Sequence, residues 1–172
     1  AGTYEGVIVR FSNASTTPAP SWASYVGGNG SEYFTTVSMT PDRSKIVFST
    51  ISAVNATPGY PALVNSVDAT LSAAGTTESL IGVLADGGTV PVSFNVFSYL
   101  GGSGNEGTVG TNTTASVVTA TNTHFYVAGS TASAGAGMPG ITGGAQTANG
   151  GGAFDVFISR IPINGGATGF QT

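Results

Sequence analysis

One stretch of this chain occurs twice. Tyr25-Val26-Gly27-Gly28-Asn29-Gly30-Ser31-Glu32 is matched by Tyr99-Leu100-Gly101-Gly102-Ser103-Gly104-Asn105-Glu106, and a serine precedes each copy, Ser24 and Ser98. A second element occurs three times: Glu5-Gly6-Val7-Ile8-Val9-Arg10-Phe11, Glu78-Ser79-Leu80-Ile81-Gly82-Val83-Leu84 and Asp155-Val156-Phe157-Ile158-Ser159-Arg160-Ile161, each led by an acid. A third pairs Lys45-Ile46-Val47-Phe48-Ser49-Thr50 with His124-Phe125-Tyr126-Val127-Ala128-Gly129. The elements keep one order, with a period of roughly 75 residues, the range of repeat architectures in which one supersecondary unit is copied and stacked.

Every repeated element reads as a strand. Val, Ile, Phe, Tyr and Thr dominate short runs bounded by Gly, Pro, Asn or Asp. Thr40-Pro41-Asp42-Arg43-Ser44 is a turn, with Pro fixing φ and Asp able to cap it. Ala85-Asp86-Gly87-Gly88 and Ile163-Asn164-Gly165-Gly166 suit turns that need positive φ. The best helical candidate is 61–74, without clear caps. The Gly/Ala-rich segment 130–153 matches 51–77 by position and reads as a long inter-strand loop. About four strands per repeat are expected, in two units: 1–92, with a preceding terminal strand, and 93–172.

Phe97-Ser98-Tyr99-Leu100-Gly101-Gly102-Ser103-Gly104-Asn105-Glu106, then Phe125-Tyr126-Val127-Ala128-Gly129, then Gly150-Gly151-Gly152-Ala153-Phe154-Asp155-Val156-Phe157-Ile158, resembles the bacterial SBBP-type β-propeller repeat. The second copy matches over 93–161, and the first in 24–32 and 78–84. The resemblance implies antiparallel, four-stranded, propeller-blade-like repeats in an all-β chain, with a β-sandwich as the alternative. It implies no catalytic residues. A closed propeller needs at least about four blades. Two repeats are therefore expected to be completed by association with other copies.

Composition narrows the function. Of 172 residues only 7% are charged, net charge is −4, and Lys and Arg together number 4. That is too few cations for a nucleic-acid footprint, and no apolar run reaches the roughly 20 residues of a membrane span. Abundant Thr, Ser, Asn and Gly, and a start at Ala1 without Met, suit an exported protein after signal removal. The expected location is extracellular or the cell surface. Asn13, Asn29, Asn55 and Asn112 head glycosylation sequons.

Catalytic chemistry finds little support. Cys is absent, His124 is the only histidine, and no Gly-x-Ser-x-Gly nucleophile elbow is present. Without a His/Cys cluster no zinc or copper site is expected. Residues 27–32 and 101–106 offer one carboxylate each, against the six to eight oxygens of calcium. Of the eight acids, Glu5, Glu78 and Asp155 form one repeated set, and Glu32 and Glu106 another. Repetition favours a structural role over a unique acid–base pair. No cofactor or metal is expected.

The expectation is a non-catalytic structural subunit of a filament or coat, with copies of itself as partners. Association would run through the terminal strands, by Val7, Ile8, Val9, Phe11, Val156, Phe157, Ile158 and Ile161. Low charge leaves apolar edges unprotected, and edges must be paired, covered or charged. The alternative is a glycan-binding propeller of two-blade subunits, binding surface sugars by aromatics such as Trp22, Tyr25, Tyr33, Tyr60, Tyr99 and Tyr126, although aromatics there more often belong to the core.

Overall fold

A computed structural model of the chain describes residues 4–12, 16–53, 59–69, 77–88, 91–106, 117–133 and 138–166. Its nine strands are β1 (Gly6–Ser12), β2 (Ala19–Val26), β3 (Glu32–Met39), β4 (Lys45–Ala53), β5 (Thr77–Asp86), β6 (Pro91–Leu100), β7 (Val117–Ala120), β8 (His124–Thr131) and β9 (Asp155–Pro162). They form three antiparallel sheets in chain order: β1-β2, β3-β4-β5-β6 and β7-β8-β9. The chain is all-β, and its only helical turn among the described residues is a short 3-10 turn, Ile141–Gly143.

The helical candidate at 61–74 is not a helix where described. Val64 bridges Phe97, its N–H donating to the Phe97 carbonyl at 3.0 Å and its own carbonyl accepting at 2.9 Å. Ser98 holds this loop to β6: its Oγ accepts from the Val67 and Asp68 N–H groups at 3.1 and 3.0 Å. Pro61 and the sparse capping signals favour extended backbone once β6 offers partners.

Hairpin turns follow the local chemistry. Asp42 Oδ1 accepts from the Thr40 hydroxyl, the Ser44 hydroxyl and the Ser44 N–H, closing β3–β4 with Arg43 at φ 59°. Thr121 does the same for β7–β8, its Oγ1 accepting from the N–H groups of Thr123 and His124. These equivalent turns touch, since the Asp42 N–H donates to Asn122 Oδ1 at 3.1 Å. Gly88, at φ 81°, supplies the positive φ of the β5–β6 turn.

The inner strands of the middle sheet, β4 and β5, are covered on both faces. One core holds Ile8, Trp22 and Val26 of the first sheet against Phe48, Leu80, Leu84, Phe97 and Tyr99 of the second. The other holds Val47, Ile81, Val83, Val96 and Leu100 of the second against Phe125, Val127, Phe157 and Ile161 of the third. Successive β5 residues therefore point into different cores, which is why Leu80, Ile81 and Val83 are all fully buried. Sheets change at the Gly-Gly turns, after Val26 and after Leu100, so the four-stranded sheet runs across residue 93.

Candidate self-association faces

The outer sheets are covered on one face only. On β1, Ile8 points into the core while Val7, Val9 and Phe11 stand 48%, 41% and 60% exposed. Tyr25, paired with Val7 across the β1–β2 ladder, is 77% exposed. On β9, Phe157 and Ile161 are buried while Val156 and Ile158 are 82% and 67% exposed. Alternation along a strand sends every second side chain to the opposite face. Both faces of these strands are apolar, unlike the apolar-in, polar-out pattern of a solvated antiparallel sheet.

The eight terminal-strand residues thus separate into two groups. Val7, Val9, Phe11, Val156 and Ile158 form open surface. Ile8, Phe157 and Ile161 are buried in the two cores, Ile8 also lining the groove beside β1.

Between β1 and β3 lies an open groove of about 500 Å³, lined by Val7, Val9, Phe11, Phe34, Val37 and Met39. Its polar fringe includes Arg10, which bridges to Asp86 of the β5–β6 turn with Nε 3.2 Å from Oδ2 and donates through Nη1 to the Gly88 carbonyl. In the described residues β1 forms a ladder only with β2 and β3 only with β4, and the Glu32 N–H at the start of β3 donates to the Tyr4 carbonyl at 3.2 Å. Of the aromatics named for sugar stacking, Trp22 and Tyr99 are buried, Tyr33 packs on Tyr4 at 5.0 Å, and Tyr60 donates its hydroxyl to Glu32 Oε1 at 2.9 Å. Tyr25 is exposed on the outer face of the first sheet.

The repeated acids come together in pairs at the Gly-Gly turns. Glu5 Oε2 and Glu32 Oε2 both lie within 3.0 Å of where a Cβ on Gly27 would sit; Glu78 Oε1 and Glu106 Oε2 do the same at Gly101. Only glycine leaves that room. Each pair joins an acid that leads one sheet's strand to an acid at the start of the next unit. Glu32, Glu78 and Glu106 are all buried. Glu106 Oε1 accepts from the Thr131 and Ser133 hydroxyls at 2.8 and 2.9 Å and from the Gly102 N–H at 3.2 Å, while its Oε2 is buried without a hydrogen-bond partner. Burial pushes the Glu106 pKa up against the pull of those donors. The recurrence of both acid sets was visible in the sequence. Their meeting was not, because the partners are 27 or 28 residues apart in sequence and are brought together only by the turn between sheets.

His124 opens β8 beside Thr123 Oγ1, 3.0 Å from Nδ1, and Arg160, 3.4 Å away. Desolvation, then the Arg160 charge, lower its pKa. Among the described residues no carboxylate hydrogen-bonds to His124. Among the described residues no cluster of three or more metal-ligating side chains occurs, and no helix is long and apolar enough to cross a membrane. Of the sequons, Asn29 is exposed on the first Gly-Gly turn; Asn13, Asn55 and Asn112 lie outside the described residues.

Compared with known proteins, the chain matches no family model, no curated protein and no solved structure.

Proposed function

We propose that this chain is a non-catalytic structural subunit of an extracellular or cell-surface filament or coat, associating with copies of itself through its two outer sheets. In this reading the β3–β6 meander is a propeller-blade-like unit, and the flanking sheets are parts of equivalent units. The observation that carries it is the open apolar surface of β1–β2 and β9. The equivalent strand β5 has both faces covered, and the outer strands keep the same apolar character on faces that no further sheet covers among the described residues. Covering such a residue is worth about 1.5–3 kcal/mol, and only 7% of residues are charged to oppose approach.

Sedimentation velocity over a concentration series, with electron microscopy of the same samples, tests it. Concentration-dependent oligomers, rings or fibres are expected. A monomer that stays monomeric at high concentration would remove the proposal. The β1–β3 groove supports glycan binding as the second reading, since exposed Phe11 stands beside the Arg10–Asp86 pair. Binding of neutral oligosaccharides to the monomer, lost in Phe11→Ser, would favour that reading instead.

A further inference from the structure

The two inner contacts between sheets share one polarity, and the exposed faces at the ends are the unused halves of that same contact. Aligning the acid-led strands matches Ile8, Ile81 and Ile158, and matches Val7, Leu80 and Phe157. Ile8 faces the second sheet and Ile81 the third. Leu80 faces back towards the first sheet and Phe157 back towards the second. Matching the Gly-Gly strands gives the same answer. Val26 and Leu100 face forward into the next sheet, and Tyr99, the counterpart of Tyr25, faces back. Each sheet therefore has a forward face and a backward face, and within the molecule forward meets backward both times.

What remains open is one face of each kind. The first sheet leaves its backward face without a covering sheet among the described residues, with Val7, Val9, Phe11 and Tyr25 41–77% exposed. The third leaves its forward face bare, with Val156 and Ile158. Among the described residues two like faces never meet, so a two-fold contact between backward faces has no precedent in this packing.

We infer that copies associate head to tail, the forward face of β7–β9 in one molecule seating on the backward face of β1–β2 in the next, with Ile158 opposite Val7. This rests on the self-association reading above and adds its polarity and the surfaces it uses. The contact is heterologous, so it closes a ring if the rotation per subunit permits and otherwise propagates as a fibre.

The chain has no cysteine, which makes the test direct. Val7→Cys and Ile158→Cys are exposed single substitutions. Facing sheets sit about 10 Å apart, so a bismaleimide of about that reach is the probe, with one variant tagged to separate the products by mass. Cross-linked dimer is expected when the two variants are mixed and absent when either is treated alone. Dimer from Val7→Cys alone or Ile158→Cys alone would show like faces meeting and overturn the polarity while leaving self-association intact. Oligomers by sedimentation with no cross-link in any mixture would also overturn it. A monomer by sedimentation would remove the proposed function itself.

Discussion

Glu106 contributes a pH response at the second Gly-Gly turn. Glu106 is raised above its ordinary 4.5 by burial, with Asp68 adding like charge and the donors on Oε1 opposing. The groups facing it are Glu78 across Gly101 and Asp68, whose charges also help burial raise the Tyr99 pKa. The native state then holds a proton that the unfolded chain releases near pH 4.5. Its contribution is full below that value and is lost as pH rises through the raised native pKa. Glu106→Gln keeps an oxygen for Thr131, Ser133 and Gly102 and turns an NH₂ towards Glu78. It is expected to stabilise the protein at pH 8 by about 1 kcal/mol, or about 2–4 °C in Tm, and to flatten the stability profile above pH 5. A Gln variant less stable than the parent at pH 8 would refute this account. Asp42 carries the opposite sign. Its turn donors lower its pKa, so its contribution is present above pH 3.8 and fades on further acidification. Ser98 acts through hydrogen bonds rather than charge. Ser98→Ala strands the N–H groups of Val67 and Asp68 beside β6 and is expected to cost about 1–3 kcal/mol in urea unfolding; a neutral result would mean water replaces the hydroxyl.

Elements were more legible than their pairing. Val/Ile/Phe runs between Gly, Pro and Asn announced each repeated strand, because short apolar β-branched runs have few other uses. The period fixed the length of the repeat and left its phase open. Acid-led β5 is an inner strand, paired to β4 and β6 alike, and the sheet break falls at the Gly-Gly turn. Which of two apolar faces lies inward was also hidden. Val7 and Ile8 are chemically alike, and only the neighbouring sheet distinguishes them. Gly82 shows a cost the strand pattern concealed. A glycine in mid-strand weakens a ladder, yet a Cβ there would enter the Phe48 ring, and Phe48, Gly82 and Phe97 lie side by side in register. The rings close over the glycine and join Phe94, 4.8 Å from Phe97. Gly82→Ala is therefore expected to destabilise by about 1–3 kcal/mol through overpacking, although propensity alone favours alanine. A chemical-denaturation midpoint equal to or above the parent's would show that the rings move aside cheaply.

At the scale of the molecule, one substitution in two equivalent places separates folding from assembly. Ile8 and Ile158 hold the same position in the repeat and project from the same forward face. A sheet covers the first, and the second is 67% exposed. Ile8→Ala leaves a cavity between the first two sheets and is expected to cost about 2–5 kcal/mol of stability. Ile158→Ala removes a side chain that is 67% exposed within its own chain, so stability measured in dilute monomer is expected to stay within about 0.5 kcal/mol of the parent. Association is expected to weaken by roughly tenfold or more, since about 1.5–3 kcal/mol of burial is withdrawn from the contact. Apolar contact also sets the response to conditions. Cooling weakens it and sulfate strengthens it, whereas an interface held by ion pairs loosens as salt screens it. If Ile158→Ala lowers monomer Tm as far as Ile8→Ala does, the third sheet's forward face is already covered within the chain, and no surface remains there for a second copy.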